Sequence, residues 1–548
     1  MGSSSVDEVG ASVSTASSQK AGRRRRIPGK NKEKLPYFGM TGFMLNVWVT
    51  VACTTAMTLF GYDQGVFGGI IVTKDFLERM GNPDPNLQGT IVSLYDIGCF
   101  LGAMSTFAFG ERLGRKKTFI IGVAIMSIGA IMQTCAFSVA QMIVARLITG
   151  LGNGINTATA PVWQSETSKP EWRGKLVVFG MIMNIAGFSL SNWMTYGFSF
   201  LEGSISWRFP IAFQLFFSVI LFLTVPWLPE SPRWLLAHGY EEEGLEVLAA
   251  LEGNGITISD AFVVNQKDEI LEAVRLEKET APSWGDILRG DTGDTGMLQR
   301  VLLGAGTQWM QQLVGINVTS YYLPLVLQNS VGLSNTLSRL LAACNSVSYL
   351  LFSFFGLLLI EKAGRRKLMM WGAAGQCVCY IFISGLLART SEPGVDPDLA
   401  KKYGAGATAF FFIYYLFFGI CWQGVPWLYP TEINSLSMRT KGAALATASN
   451  WISNYIVVQI TPPGIASLGW RFYLIWTVFN AIFIPIIYLI YPETANRHLE
   501  DIDRLYRDDK SMIFVYRNKE AIQVERPLRF IEADRERTRD VRVEDDHS

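Results

Sequence analysis

Histidine is nearly absent from this 548-residue chain. There are three, His238, His498 and His547, and all lie outside its apolar stretches. An intramembrane proton relay built on imidazole is thereby excluded. Charge is scarce as well, at 17% of residues against roughly 25% in soluble domains. Its two signs balance, 48 Lys and Arg against 47 Asp and Glu, so bulk charge points to no partner. The seven cysteines are scattered, nearly all inside apolar runs, and Cys377 and Cys379 make only a C-x-C within one of them. That pattern predicts neither a disulfide framework nor a metal site. There is no G-x-x-x-x-G-K-[ST] phosphate loop, metal-ligand cluster or nucleophile–base pair. The sequence therefore points away from an enzyme, away from ATP-driven transport, and to no cofactor. The first forty residues are polar and Ser-rich, and read as a disordered tail with no cleavable signal.

Long apolar runs are what the chain does have; 49% of its residues are hydrophobic. A helix needs about 20 apolar residues to cross a bilayer. Some twelve such runs recur, near 45–68, 88–109, 117–137, 140–163, 175–199, 208–228, 299–327, 335–360, 367–389, 406–430, 440–463 and 470–491. They predict an all-α membrane protein whose environment is the lipid bilayer. Basic residues gather in the N-terminal tail ("GRRRR", Gly22–Arg26, with Lys30, Lys32 and Lys34) and in "RLGRKK" and "KAGRRK" after the second and eighth runs. An even number of spans puts both tails on one side, and the basic loops place that side in the cytoplasm. The Arg run also resembles a nucleic-acid patch, but beside a first span it reads as an orientation signal, and no nucleic-acid partner is expected.

The two halves echo each other. "ERLGRKK" from Glu111 matches "EKAGRRK" from Glu361. Glu166 precedes Arg173 by seven residues, as Glu432 precedes Arg439, and "PESPR" from Pro229 is answered by "PETAN" from Pro492. The expected organisation is a tail (1–44), a six-span bundle (45–229), a charged helical linker (230–298), a second six-span bundle (299–492) and a tail (493–548). Repeated bundles with a site between them are a transporter's architecture. Arg115, Arg173, Arg365 and Arg439 are placed to bridge Glu166 and Glu432 as a cytoplasmic gate; the plainer alternative is that they only orient the spans.

Polar residues inside apolar runs are the functional candidates, because hydrocarbon penalises them. Asp63 is the only charged residue between Met40 and Val72. Asp96, in "SLYDIGCF", is a second intramembrane acid, which either takes a proton or bonds helix-end backbone near the outer surface. The seventh run carries Gln308, Gln311, Gln312, Asn317, Tyr321 and Tyr322, with Gly315 to weaken the helix. Amides both donate and accept, which suits hydroxylated solutes. Trp427 sits beside a Gly/Pro break in "GVPWLYP". Thr447, Asn450, Trp451 and Asn454 share one helix face.

Together, "GERLGRKK", "RLITGLGNGINTATAPVWQSE", "PESPRWL", "QQLVGIN…YY", "EKAGRRK" and "PETANRHLE" resemble the sugar porter family of the major facilitator superfamily, across about residues 45–505. Within it they are most similar to the fungal sugar and glycerol/proton symporters. The resemblance implies twelve transmembrane helices in two pseudo-symmetric six-helix bundles, plasma-membrane location, and import of a monosaccharide or polyol with a proton by alternating access. It also implies that Asp63 accepts the proton and pairs with Arg146 of the fourth span. The physical alternative is a purely structural ion pair. Solute-binding positions carried over are Gln311, Gln312, Asn317, Tyr321, Trp427, as a stacking platform, and Asn450. One position departs from the family: Met181 stands where many members have glutamine, with Asn184 three residues on. That disfavours ordinary glucose recognition and fits a smaller or differently oriented solute, such as a pentose or polyol. A facilitative uniporter and a non-transporting sugar sensor are the remaining alternatives, the second weakened by the short tail after Glu500.

Overall fold

A computed structural model describes residues 36–532, apart from 170–171, 254, 281–283, 290–295, 436–437, 498, 510, 512 and 514. The N-terminal basic run, His498 and His547 lie outside the described residues. Among those described there is no strand. The chain folds as twelve membrane-spanning helices in two six-helix bundles. Nine stretches are long and apolar enough to cross a membrane, and one of them, Lys441–Ile490, holds two helices, Arg439–Leu468 and Phe472–Ile490, joined by the turn Gly469–Arg471. The other two spans are too polar to meet that criterion. They are the fourth, Val139–Thr167, and the seventh, which is broken into Met297–Leu313, Ile316–Ser320 and Leu323–Asn329. Their polarity is the price of the sites they carry.

The first span is Gly42–Ile70, the second Pro85–Leu113, the third Arg115–Thr134 and the fifth Arg173–Phe198. The eighth is Asn335–Ala363 and the ninth Arg365–Thr390. The tenth is interrupted by a π-helical segment, Phe418–Trp422, before it resumes as Val425–Ile433. Large apolar side chains such as Leu223 and Leu358 stay exposed on the outer faces, as a lipid-facing surface requires.

The second and eleventh spans, and the fifth and eighth, pack across the boundary between the halves. At the end opposite the basic loops, hydrogen bonds join the halves. Asn335 Nδ2 donates to the Val72 carbonyl at 2.7 Å, Arg339 to Thr73 Oγ1 at 2.9 Å, and Ser93 Oγ to Gln459 Oε1 at 2.6 Å.

The linker forms helices Pro232–Ala237, Glu241–Glu252, Ala261–Thr280 and Trp284–Arg289. The C-terminal segment, which reads in the sequence only as mixed charge, contains Leu499–Asp508 and Lys519–Ile522. It is pinned by Arg300–Asp503 at 2.5 Å and Arg526–Asp501 at 2.7 Å.

Candidate functional site

Short turns set the geometry at the basic-loop end. Gly114 (φ +87°) and Gly364 (φ +83°) each end one span and begin the next, in a backbone conformation that disfavours a side chain. Space demands glycine too: a Cβ would lie 2.6 Å from Glu230 Oε2 at Gly114 and closer still to Glu493 Oε2 at Gly364. Those two carboxylates belong to the repeated "PE" motifs. Glu230 accepts the main-chain N–H of Arg115 at 2.9 Å and of Lys116 at 3.1 Å. Glu493 accepts those of Arg365 at 2.8 Å and Arg366 at 3.2 Å. Each thus caps the positive N-terminus of a span. Burial pushes the Glu230 carboxyl above its ordinary range, against the backbone N–H groups that pull it down. In the sequence these glutamates are only markers of the repeat; the capping role is not legible there, because the N–H groups they accept lie 115 and 128 residues earlier.

The capped turns aim two arginines. Arg115 grips Glu166 with two bonds of 2.9 Å and Glu111 with a third. Arg365 grips Glu432 at 2.7 and 3.0 Å and Glu361 with two bonds of 2.8 Å. Thr494 adds a 2.6 Å bond to Glu432. Both clusters lie within a half and do not bridge the halves. Arg439 is exposed and interacts with Glu432 through charge. The side chain of Arg173 lies outside the described residues.

Deeper, the second and fourth spans touch backbone to backbone. A Cβ on Gly150 would meet the Tyr95 carbonyl oxygen at 2.1 Å. This contact buries Arg146 completely. Its Nη1 lies 3.5 Å from Asp63 Oδ1, its Nη2 donates to the Val92 carbonyl at 3.0 Å, and its guanidinium covers the rings of Phe67 and Tyr95 at 4.0 and 4.4 Å. Asp63 and Arg146 are both 0% exposed. Two aromatic faces and one carboxylate replace the water that a guanidinium would otherwise require.

Beside this pair is a cavity of about 60 Å³ between the halves. Gln311, Gln312, Asn317, Trp427 and Asn450, the positions carried over from the family resemblance, line it together with Asn454, Met181 and Asn184. The seventh span opens here because Gly315 adopts φ +93°, with its carbonyl held by the Tyr380 hydroxyl at 2.9 Å. The amides are preorganised. Asn450 Nδ2 donates to Gln308 Oε1 at 2.6 Å and to Gln311 Oε1 at 3.1 Å. Gln308 and Gln311 donate in turn to the Pro426 and Trp422 carbonyls of the tenth span. Thr447 bonds within its own helix. Tyr321 stands behind the cavity wall: its hydroxyl reaches Asp96 at 3.3 Å, and Tyr322 bonds the Val458 carbonyl. Sequence reading missed Gln64, Tyr349 and Gln423 of the lining, where the Tyr349 hydroxyl donates to Gln423 Oε1. All three are polar residues inside apolar runs, a signal the sequence does carry. No charged residue appears in the lining, so the cavity suits a neutral, hydrogen-bonding solute with an apolar face.

The sequence model of the family described as "Sugar (and other) transporter" matches residues 48–506. The chain belongs to the sugar porter family of the major facilitator superfamily. It is 54% identical over 510 residues to the MFS-type transporter oryC of Aspergillus oryzae, covering 92% of this chain and 93% of that one. It is 35% identical to the sugar transporter STL1 of Saccharomyces cerevisiae, covering 87% of this chain and 84% of the relative. A partially occluded, inward-open structure of the xylose transporter XylE from E. coli superimposes with a TM-score of 0.70 at 22% identity, covering 83% of this chain and all of XylE. That likeness shows the fold.

Proposed function

We propose that this family member is a secondary active transporter, not an enzyme, that imports a monosaccharide or polyol with a proton across the plasma membrane by alternating access, both termini being cytoplasmic. The observation that carries the reading is a fully buried Asp63–Arg146 pair beside an uncharged amide-and-aromatic cavity. A charge at membrane depth costs about 3 kcal/mol or more, so one that persists there has a use. Protonation of Asp63 neutralises it, releases Arg146 from the first span, and frees the fourth span to move. Trp427 offers a face for the solute's C–H surface, and Gln311, Gln312, Asn317, Asn450 and Asn454 offer donors and acceptors for its hydroxyls. With the basic loops cytoplasmic, the bonds of Asn335, Arg339 and Gln459 close the outer side, and the Arg115–Glu166 and Arg365–Glu432 clusters stiffen each half at the inner side.

Met181 in the lining favours a second reading, with glycerol or another small polyol as the solute, since a thioether cannot replace an amide's bonds to a hydroxyl. One experiment tests both: solute-elicited pH change in proteoliposomes across glucose, xylose, arabinose, galactose, sorbitol and glycerol, with wild type and Asp63→Asn. Proton movement with one solute, lost in the variant, is expected. Labelled solute that equilibrates without proton movement would make the protein a uniporter and the pair structural.

A further inference from the structure

A second carboxylate lies within the field of the same guanidinium. Asp96 of the second span is 0% exposed, and the charged groups that act on it are Asp63 of the first span and Arg146 of the fourth. Its titratable neighbours are Cys99 on its own span and Tyr321 and Tyr322 of the seventh; the eleventh span presents the neutral Asn454. Arg146 gives its hydrogen bonds to Asp63 and to the Val92 carbonyl. Asp96 receives Asn454 Nδ2 at 2.9 Å and the Tyr321 hydroxyl at 3.3 Å, both on Oδ1, while Oδ2 is buried with no partner. Asp63 Oδ2 is bare as well, but Asp63 has the guanidinium on its other oxygen; an ionised Asp96 would have a bare oxygen and no hydrogen bond from a cation, an expensive arrangement in a membrane interior. A neutral acid with its carbonyl at Oδ1 and its hydroxyl at Oδ2 matches the same two bonds at far lower cost.

We propose that Asp96 is a neutral carboxylic acid in this state, and that it couples the solute cavity to the Asp63–Arg146 pair. The physical connection runs through the eleventh span: Asn454, which donates to Asp96, accepts at Oδ1 from Asn317 Nδ2 at 2.5 Å, and both asparagines line the cavity. The cluster holds two carboxyls, one guanidinium and one proton, so its net charge is zero. When Asp63 gains a proton, an O–H bond forms there and Arg146 becomes free to pair with Asp96. The Asp96 O–H then breaks, its proton passes to a water of the opened cavity, and the net charge is again zero. A solute that takes hydrogen bonds from Asn317 or Asn454 changes the grip on Asp96 directly. The transfer rests on the symport reading above; the protonation state does not.

Infrared spectroscopy of the purified full chain tests it without any solute. The wild type is expected to show the C=O band of a protonated carboxyl group that disappears in Asp96→Asn. Tyr321→Phe removes one donor from that carbonyl and is expected to move the band to higher wavenumber, which keeps the test decisive if Asp96→Asn does not fold. A band that neither variant alters would overturn the proposal. In proteoliposomes, Asp96→Asn is expected to lose solute-driven proton movement; full coupling in that variant would overturn the relay. A wild type that moves no protons but shows the Asp96-dependent band would refute the symport reading and leave neutral Asp96 standing.

Discussion

At the basic-loop end the two halves of the molecule build the same device twice, and at membrane depth they build different ones. Glu111, Arg115, Glu166 and Glu230 of the first half correspond to Glu361, Arg365, Glu432 and Glu493 of the second, in motif and in bonding. Inside, the first half holds the buried ion pair, and the second holds the bonded amides and the broken helices. The shared device is what the fold needs: two rigid bundles whose spans are capped and clamped at one end. The unshared interior is what the activity needs, on the reading proposed here, with a charge switch in one bundle and a solute cradle contributed largely by the other. Divergence between repeats thus separates mechanism from scaffold without any alignment.

The sharpest way to break this comparison is at the ion pair. Arg146→Ala leaves Asp63 buried without its cation, which costs about 3–5 kcal/mol. We expect a large fall in Tm and no measurable uptake. Asp63→Asn removes the opposite charge and is expected to abolish uphill accumulation while some downhill exchange persists. Sustained concentrative uptake by that variant would show that the pair is scaffold after all. In the second half the corresponding test is Trp427→Ala, which removes the solute's apolar platform. A loss of about 1.5–3 kcal/mol of contact corresponds to a KM raised roughly tenfold to a hundredfold, with the proton response intact at saturating solute. An unchanged KM would remove Trp427 from the site.

How far these features are legible in the sequence follows their range along the chain. The spans, the repeated motifs and the isolated Asp63 stand out because each is local: a run, a spacing, one charge in an apolar stretch. Arg146 is assigned as its partner only through the family resemblance, and the structure brings the two together at 3.5 Å. Asp96 is visible as an intramembrane acid, but its role is not, because its partners Tyr321 and Asn454 are 225 and 358 residues away. The break in the seventh span is foreshadowed by Gly315, although its depth depends on Tyr380 of the ninth span taking the freed carbonyl. The docking of the C-terminal segment is equally non-local, since Arg300 and Asp503 are 203 residues apart.

The two clamps can be distinguished as well as matched. With Glu166→Gln, Arg115 keeps a single side-chain bond, to Glu111. With Glu432→Gln, Arg365 keeps two bonds to Glu361 and a buried one to the Ile360 carbonyl. Glu111 and Glu361 are both largely exposed, and exposed ion pairs contribute little, so the buried carbonyl bond is what separates the two clamps. Glu166→Gln is therefore expected to change the transport rate several-fold and Glu432→Gln less, measured as initial uptake in vesicles. Equal effects would mean that the remaining bonds at Arg365 do not compensate.

A comparably modest effect, at Met181, bears most directly on the solute. Met181 lies at the meeting of the halves, in the wall of the cavity and of a smaller apolar one lined by Ser353, Gly356 and Gln423. It is 3% exposed, so a polar replacement must find a partner or cost stability. Met181→Gln restores the amide common in the family at the edge of a cavity already rich in amides, where Asn184 and Gln423 are within the same lining. A net hydrogen bond contributes about 0.5–1.5 kcal/mol, which corresponds to a KM for glucose lowered roughly twofold to tenfold, with the KM for glycerol unchanged. A gain for glucose alone would identify Met181 as the residue that turns the second half's cradle away from hexoses. A rise in KM for every solute would instead mean that the thioether packs against the solute, and that the apolar wall is part of the cradle.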